Sequence, residues 1–194
     1  MSGGGWAFAS MNMFGYDVIA IDPPWTFDLY SDAGAEKSAG AQYDLMSFED
    51  IKALRVGDLA APDCLLLLWC CEWMDPAQRS ELIRAWGFTY RSAFMWRKTT
   101  VNGKVRMGTG YRVRSMHEPV LLATVGNPQH RAFPSVFDGV AREHSRKPEE
   151  FYALVDACCP DTRRADLFSR ERRPGWDGWG NELGKFDAAA EAGQ

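Results

Sequence analysis

The sequence has no long hydrophobic run and no cysteine framework. Its longest uninterrupted apolar stretch covers residues 64–71, far short of the roughly 18 residues that a membrane span needs. Residues 1–5 contain no basic segment followed by an apolar one, so we expect no signal peptide. The five cysteines are odd in number, include two adjacent pairs and form no Cys-x-x-Cys, so neither disulfides nor a zinc site are expected. These absences predict a cytoplasmic protein with reduced thiols and no membrane segment.

Acidic residues are missing from one long window, although the net charge of the whole chain is −4. No Asp or Glu occurs between Leu82 and His117. The basic residues of the window are Arg84, Arg91, Arg97, Lys98, Lys104, Arg106, Arg112 and Arg114. A basic face inside an acidic chain is typical of contact with nucleic-acid phosphates. The alternative is a solvated loop region with a chance charge bias.

The order of apolar runs predicts an α/β protein. Strands are predicted at residues 18–21, 65–69, 88–96, 119–125 and 166–168. Helices are predicted from Ser47 to about Leu59, from Asp75 to Trp86 and from Lys147 to about Cys158. Residues 28–46 and 99–114 are predicted loops, and residues 126–146 are predicted to be mostly loop with strand fragments. Alternating strands and helices favour a mainly parallel sheet that is covered on both faces, with ligands beyond the carboxyl ends of its strands.

The domain organisation follows from length and composition. A chain of 194 residues is long enough for one compact domain with a buried core. We expect this single domain to cover residues 1–183. Residues 184–194, which end in an Ala-rich segment, are expected to form a disordered tail.

The motif with the most chemical content follows the first predicted strand and consists of Asp22, Pro23, Pro24 and Trp25. Asp22 can accept a hydrogen bond from an amino group, and a carbonyl near Pro23 can accept a second one. Paired prolines stiffen the loop and remove competing donors, while Trp25 offers a flat face for a base. This combination suits the capture of an exocyclic amine, but it is also compatible with a simple turn beside a core tryptophan.

Further blocks in a fixed order make the chain resemble the MT-A70 family of adenine-N6 methyltransferases over residues 16 to 183, in the manner of a small bacterial or phage-type member. These blocks begin at Tyr43 (YDLMS), Leu67 (LLW), Trp96 (WRK), His117 (HEPVL, then GNP), Ser145 (SRKPE), Asp166 (DLFSR) and Gly180 (GNE). The family has Glu and a small residue such as Gly or Ala more often at the positions of Asp166 and Ser169. The loop of residues 171–174 is also shorter and richer in arginine than in the eukaryotic RNA enzymes.

The resemblance implies a Rossmann-like class I methyltransferase fold in permuted order, with the catalytic motif before the cofactor-binding strand. It implies S-adenosyl-L-methionine as the cofactor and methyl transfer to N6 of adenine as the reaction. The residues it assigns to the cofactor are Asp22, Lys147, Arg170, Asn181 and Glu182. Those assigned to the substrate are Trp25, Tyr43, Lys98, Arg112 and His117, with residues 31–43, 99–114 and 141–147 as substrate-facing loops.

The nature of the substrate is less constrained. A small single-domain member resembles bacterial or phage DNA methyltransferases, so DNA is favoured and the target adenine would be flipped out of the duplex. An RNA adenine-N6 methyltransferase is the first alternative. A non-catalytic nucleic-acid-binding member is the second, although such members typically lose the Asp or Trp that stand here at positions 22 and 25. The sequence leaves open whether the protein forms a homodimer.

Overall fold

A computed structural model describes residues 6–25, 45–71, 74–108, 112–143 and 146–187. The strands are β1 (Tyr16–Ile21), β2 (Ala60–Trp69), β3 (Thr89–Thr99), β4 (His117–Val125), β5 (Val136–Val140), β6 (Arg164–Leu167) and β7 (Trp176–Trp179). The helices are α1 (Phe48–Ala53), α2 (Pro76–Ala85) and α3 (Glu149–Cys158), with a short 3-10 helix at Val56–Leu59.

All these strands form one sheet in the order β5-β3-β4-β2-β1-β6-β7. Neighbouring strands are parallel except where β4 pairs with β2 and β3. Six strands therefore run one way and β4 runs the other, which confirms the mainly parallel α/β sheet. The carboxyl ends of the six parallel strands and the start of β4 lie along the same edge, which we call the carboxyl-end edge.

Both faces of the sheet are covered by helices. Ile51 of α1 and Leu82 of α2 pack into the cluster of buried side chains on one face. Phe151 and Val155 of α3 pack into the cluster on the other face. Adjacent strand residues point to opposite faces, so Ile19 of β1 joins the first cluster and Ala20 joins the second. Such two-sided burial explains why the central strands read as continuous apolar runs.

The caps of α2 were predicted correctly. The Asp75 side chain accepts from the backbone N–H of Ala77 at 2.8 Å, and Pro76 opens the helix. At the other end, Gly87 has a φ of +82° and its N–H bonds to the Arg84 carbonyl at 2.9 Å. A left-handed residue after the last turn suits glycine, which has no Cβ to clash.

The first predicted helix was too long. Helix α1 ends at Ala53, and Leu54 turns into extended backbone with a ψ of 133°. The 3-10 helix then brings Gly57 against the Trp86 carbonyl, where a Cβ at residue 57 would lie 2.4 Å from that oxygen. Close packing of these two segments therefore overrides the helical pattern that runs on to Leu59.

Two other elements differ from the prediction. Strand β2 begins at Ala60, five residues before the predicted start, and β7 was not predicted at all. Strand β5 is a strand fragment of the kind expected within residues 126–146. Most of the predicted loop at residues 28–46 and residues 188–194 of the predicted tail lie outside the described residues.

None of the described helices has the length and apolar character needed to cross a membrane. The five cysteines are free thiols, four of them buried and Cys71 half-buried. Burial raises the pKa of Cys70 and of Cys71 to about 12. Both thiols therefore stay protonated near neutral pH and are poor nucleophiles, although they directly follow β2 at the carboxyl-end edge.

Candidate active site

The loop that carries Asp22 leaves β1 at the carboxyl-end edge and is fixed by backbone hydrogen bonds. The N–H of Asp22 bonds to the Leu167 carbonyl of β6 at 3.4 Å. The N–H of Trp25 bonds to the Pro23 carbonyl at 2.9 Å, and the Pro24 carbonyl accepts from Met46 at 2.9 Å. Each of these two carbonyls keeps a second lone pair for another donor. The carboxylate of Asp22 is thus presented by a stiff loop that follows β1 and is hydrogen-bonded to the end of β6.

A chain of alternating charges starts at this carboxylate. The Lys147 Nζ lies 2.9 Å from Oδ2 of Asp22 and 3.1 Å from Oε2 of Glu118. Glu118 also pairs with Lys98, whose Nζ lies 2.6 Å from Oε1. The Lys147 ammonium stands 4.4 Å from the centre of the Trp69 ring, a favourable cation–π position. The structure therefore brings together Asp22, Lys147 and Lys98, which the sequence analysis singled out separately.

This arrangement determines the charge of each member. Glu118 has a pKa of about 2, because the Lys147 and Lys98 ammonium groups overcome the desolvation caused by burial. Burial raises the pKa of Asp22, and Lys147 opposes this effect only in part. The two carboxylates raise the pKa of Lys147, which stays charged. Lys147 is thus a permanent cation whose side chain is only 11% exposed, and Asp22 binds protons more readily than an ordinary aspartate.

The second half of the site follows β6 and β7. Arg170 pairs with Glu182 at 2.8 Å, and the Ser169 N–H bonds to the Trp179 carbonyl at 3.0 Å. Phe168 has a φ of +63°, a strained value for a residue with a side chain. A Cβ at Gly180 would lie 3.0 Å from Phe168 Cα and from the Ser169 carbonyl. The loops after β6 and β7 can therefore approach each other only because residue 180 is glycine.

These residues fit S-adenosyl-L-methionine in their chemistry. A desolvated lysine suits its carboxylate, and a close-packed glycine turn at the end of a strand suits the approach of a nucleoside. Arg170, Glu182 and the exposed Asn181 supply hydrogen-bonding groups for ribose and adenine. Lys147, Arg170, Asn181 and Glu182 would therefore hold the cofactor.

Trp25 is less accessible than a stacking platform would be. Only 7% of it is exposed, and it packs within the buried cluster that contains Ile19 and Ile21. Its Nε1 is buried and has no hydrogen-bond partner among the residues that the structure describes. A base could stack on Trp25 only after neighbouring groups move. Trp25 therefore lies at the site, but its ring is not exposed to a substrate.

The predicted substrate contacts lie around the same edge. His117 begins β4 opposite Arg97 of β3, and its backbone carbonyl accepts from the Ser115 hydroxyl at 2.7 Å. Arg112 is exposed on residues 100–116, which connect β3 to β4 and which we call the basic arm. Tyr43 lies outside the described residues.

The basic arm is hydrogen-bonded to Lys98, a residue of the site, through its own backbone. The Lys98 N–H bonds to the Met116 carbonyl, and the Arg106 N–H bonds to the Lys98 carbonyl, both at 2.8 Å. Lys104, Arg106, Arg112 and Arg114 are exposed, and none of them pairs with a carboxylate in the part of the chain that the structure describes. The exposed large apolar side chains of the arm are Val101, Val105, Met107, Val113 and Met116. This surface offers uncompensated positive charge next to Lys98 and Glu118.

Sequence reasoning missed Glu118 as a site residue. It was noted only as part of the HEPVL block, whereas the structure places it between the two lysines. One signal could have found it, namely a carboxylate at the start of an otherwise apolar strand, where an isolated charge is costly unless it is paired.

Comparison with known proteins agrees with this geometry. The model of the MT-A70 family matches residues 16–182. The chain belongs to the MT-A70 family. It is 29% identical over 189 residues to the N(6)-adenine-specific methyltransferase METTL4 of Homo sapiens, which covers 88% of this chain and 38% of that protein. It is 27% identical over 190 residues to the Type II methyltransferase M.MunI of a Mycoplasma species, which covers 87% of this chain and 78% of that protein.

The family assignment confirms the resemblance noted in the sequence and the Rossmann-like α/β fold. The zebrafish N(6)-adenosine-methyltransferase subunit METTL3 is 27% identical over 175 residues, which is 87% of this chain but 28% of that subunit. The chain therefore spans well under half of the length of METTL4 and METTL3, and most of the length of M.MunI.

Proposed function

We propose that the protein transfers the methyl group of S-adenosyl-L-methionine to N6 of adenine in DNA. The observation that carries this proposal is the Asp22 carboxylate, held on a stiff loop and 2.9 Å from the Lys147 ammonium. In an MT-A70 protein, this pair places an acceptor for an amine beside a cation for the cofactor carboxylate. The cofactor, when bound, supplies a methyl group that its sulfonium has already activated.

The adenine amine needs orientation because its lone pair is delocalised into the ring. Asp22 can accept a hydrogen bond from one N6 proton, and the Pro23 carbonyl can accept from the other. Holding both protons in fixed positions favours a geometry in which the lone pair faces the methyl group, so positioning supplies much of the rate enhancement. The raised pKa of Asp22 then favours uptake of the proton that N6 releases after methylation.

Nucleic acid would reach this site across the basic arm. The four exposed cations of the arm can bind phosphates, which predicts an affinity that falls steeply with salt. A duplex target would require the adenine to leave the base stack before it can approach Asp22. The closed surroundings of Trp25 fit a stacking role only in a complex, in which the neighbouring residues have made room for the base.

The coverage of the relatives supports DNA in this proposal. The chain spans 78% of the Type II methyltransferase M.MunI, against 28% of the METTL3 subunit. RNA remains the second candidate, because METTL3 carries the name of an adenosine methyltransferase. Parallel assays on DNA and RNA oligonucleotides of matched sequence separate the two.

The direct test is expression in a bacterial host that lacks adenine methylation. The proposal expects N6-methyladenine in the DNA of cells that carry the wild-type chain. It expects none in cells that carry Asp22→Ala, although this variant should fold. Methylation by Asp22→Ala at near wild-type levels would contradict the role given to this carboxylate. Methylated RNA with unmodified DNA would move the substrate to the second candidate.

A further inference from the structure

Three arginines from two different loops surround one glutamate near Lys147. Glu171 pairs with Arg146 at 2.9 Å, with Arg173 at 2.7 Å and with Arg142 at 3.7 Å. Arg142 and Arg173 also share Glu149, the first residue of α3. We call these residues, Arg142, Arg146, Glu149, Glu171 and Arg173, the arginine cluster. It joins Arg142 and Arg146, on either side of residues 143–145 in the chain, to the loop that follows β6.

The arginine cluster touches the backbone on both sides of the Lys147 side chain. The Arg142 guanidinium donates a short hydrogen bond to the Lys147 carbonyl. Arg146 directly precedes Lys147, and its backbone N–H bonds to the Glu143 carbonyl at 3.1 Å. The Lys147 carbonyl is therefore held by the Arg142 side chain, and the residue before it is held by a backbone hydrogen bond and by the ion pair of Arg146 with Glu171.

The charges of the cluster suit this internal role better than contact with nucleic acid. The side chains of Arg142, Arg146 and Arg173 are between 12 and 17% exposed, and that of Glu171 is 21% exposed. Their positive charge is matched by Glu171, Glu149 and Glu143. This contrasts with the basic arm, whose cations are exposed and unmatched.

The cluster is also not an efficient way to stabilise a fold. The Nε atoms of Arg142 and Arg173 are buried and have no hydrogen-bond partner within the described part of the chain, and desolvating several charges is costly. Arg173 additionally lies 3.8 Å from the centre of the Tyr152 ring, which fixes the loop after β6 onto α3. Costly groups with defined positions are typical of places where geometry serves function.

We propose that Arg142 and Glu171 are positioning residues for Lys147. They hold residues 141–143 and 146–148 against the loop after β6, so that the lysine stays between Asp22 and Glu118 and faces the cofactor carboxylate. The part of this assignment that concerns the cofactor carboxylate rests on the proposed function. It predicts that weakening the cluster lowers cofactor affinity and leaves the methyl-transfer step nearly intact once the cofactor is bound.

The test compares Glu171→Gln and Arg142→Lys with Arg163→Gln in the full chain. Arg163 pairs with Asp17 at 3.3 Å. Both residues lie at the amino ends of β1 and β6, at the edge of the sheet opposite the site, so Arg163→Gln removes an ion pair away from the site. We expect Glu171→Gln to bind S-adenosyl-L-methionine about tenfold more weakly in calorimetry, as for loss of one member of a partly buried network. Arg142→Lys, which keeps the charge but loses the planar fork, should lie between Glu171→Gln and wild type.

Two readouts distinguish positioning from general stabilisation. At saturating cofactor, the kcat of Glu171→Gln should stay within about threefold of wild type, because only the binding of the cofactor is affected. In the cofactor-free protein, hydrogen exchange at residues 141–148 should accelerate in Glu171→Gln and not in Arg163→Gln.

Each outcome decides the assignment. Cofactor affinity within about twofold of wild type, unchanged exchange at residues 141–148, or an equal effect of Arg163→Gln would overturn it. A fall in kcat at unchanged affinity would also overturn it. If the wild-type protein itself fails to bind the cofactor, the proposed function fails, whereas the exchange comparison still decides whether the cluster positions residues 141–148.

Discussion

Two carboxylates at the carboxyl-end edge of the same sheet differ sharply in their partners. Glu118, at the start of β4, lies between Lys98 and Lys147 at 2.6 and 3.1 Å. Asp166, within β6, accepts a hydrogen bond from the Tyr152 hydroxyl at 2.9 Å, and no ion pair to it occurs in the described part of the chain. Asp166 is 8% exposed, whereas the Glu118 side chain is 28% exposed.

The partners produce opposite charge states. Two lysines lower the pKa of Glu118 to about 2, so it is ionised at every pH of practical interest. Burial raises the pKa of Asp166 to about 6, and hydrogen bonds from Ser169 and from the Tyr152 hydroxyl oppose this only in part. One edge of the sheet therefore holds a fixed anion, Glu118, which is paired with Lys147, next to an acid, Asp166, that titrates close to neutrality.

The largest effect is expected when Glu118 loses Lys147, the cation that it shares with Asp22. Lys147→Met should lower kcat/KM at least about 100-fold, because a charge-assisted contact to the cofactor carboxylate is lost. It should also reduce the free energy of unfolding by about 3 kcal/mol, since Asp22 and part of Glu118 are left uncompensated. Steady-state kinetics and urea unfolding measure the two changes.

A double variant separates these two consequences. Lys147→Met combined with Glu118→Gln removes one of the uncompensated carboxylates, so much of the lost stability should return. The activity should not return, because the cation remains absent. Recovery of activity in the double variant would show that Lys147 serves only to neutralise its neighbours.

A smaller effect is expected when the anion itself is neutralised. In Glu118→Gln, Lys147 keeps Asp22 as its partner, and the negative charge that helps to raise the pKa of Asp22 is gone. The acid limb of the activity profile should therefore move to lower pH, while kcat near neutral pH falls about tenfold as Lys98 and Lys147 lose alignment. An acid limb that stays in place would mean that Asp22 does not control it.

The sequence predicted the elements whose signals are local. Three elements could be predicted from segments of about ten residues. They are β2, by its run of apolar residues, α2, by its capping aspartate and glycine, and α3, by its apolar face. The first helix and β7 could not be predicted in this way. The end of α1 depends on Gly57 meeting the Trp86 carbonyl, and the four residues of β7 gain their identity from pairing with β6.

The site follows the same division. Asp22 and Lys147 could be found from the motif and the family blocks, because each stands in a recognisable stretch of sequence. Their mutual distance could not be found, nor could the place of Glu118 between two lysines that stand 49 positions apart in the chain (Lys98 and Lys147). Trp25 shows what the motif alone left open, since its two interpretations were a flat face for a base and a core tryptophan, and the structure buries it to 7% exposure.

The smallest effect on activity is expected when Asp166 is replaced. Its replacement should raise the free energy of unfolding, whereas the replacement of Lys147 should lower it. Asp166 has a higher pKa in the folded protein, about 6, than its ordinary value of 3.8. Its contribution to stability is therefore fully present below about pH 4 and is lost as the pH rises through about 6. The free energy of unfolding at pH 7 should be reduced by up to about 3 kcal/mol through this residue.

Asp166→Asn removes this charge and retains an oxygen that can accept from the Tyr152 hydroxyl. The variant should be more stable than wild type at pH 7, and the two proteins should converge as the pH falls toward 4. Urea unfolding at pH 4, 5.5 and 7 measures the difference. A variant less stable than wild type at pH 7 would mean that Asp166 is held ionised by a favourable environment, as Glu118 is, and would remove the contrast between the two carboxylates.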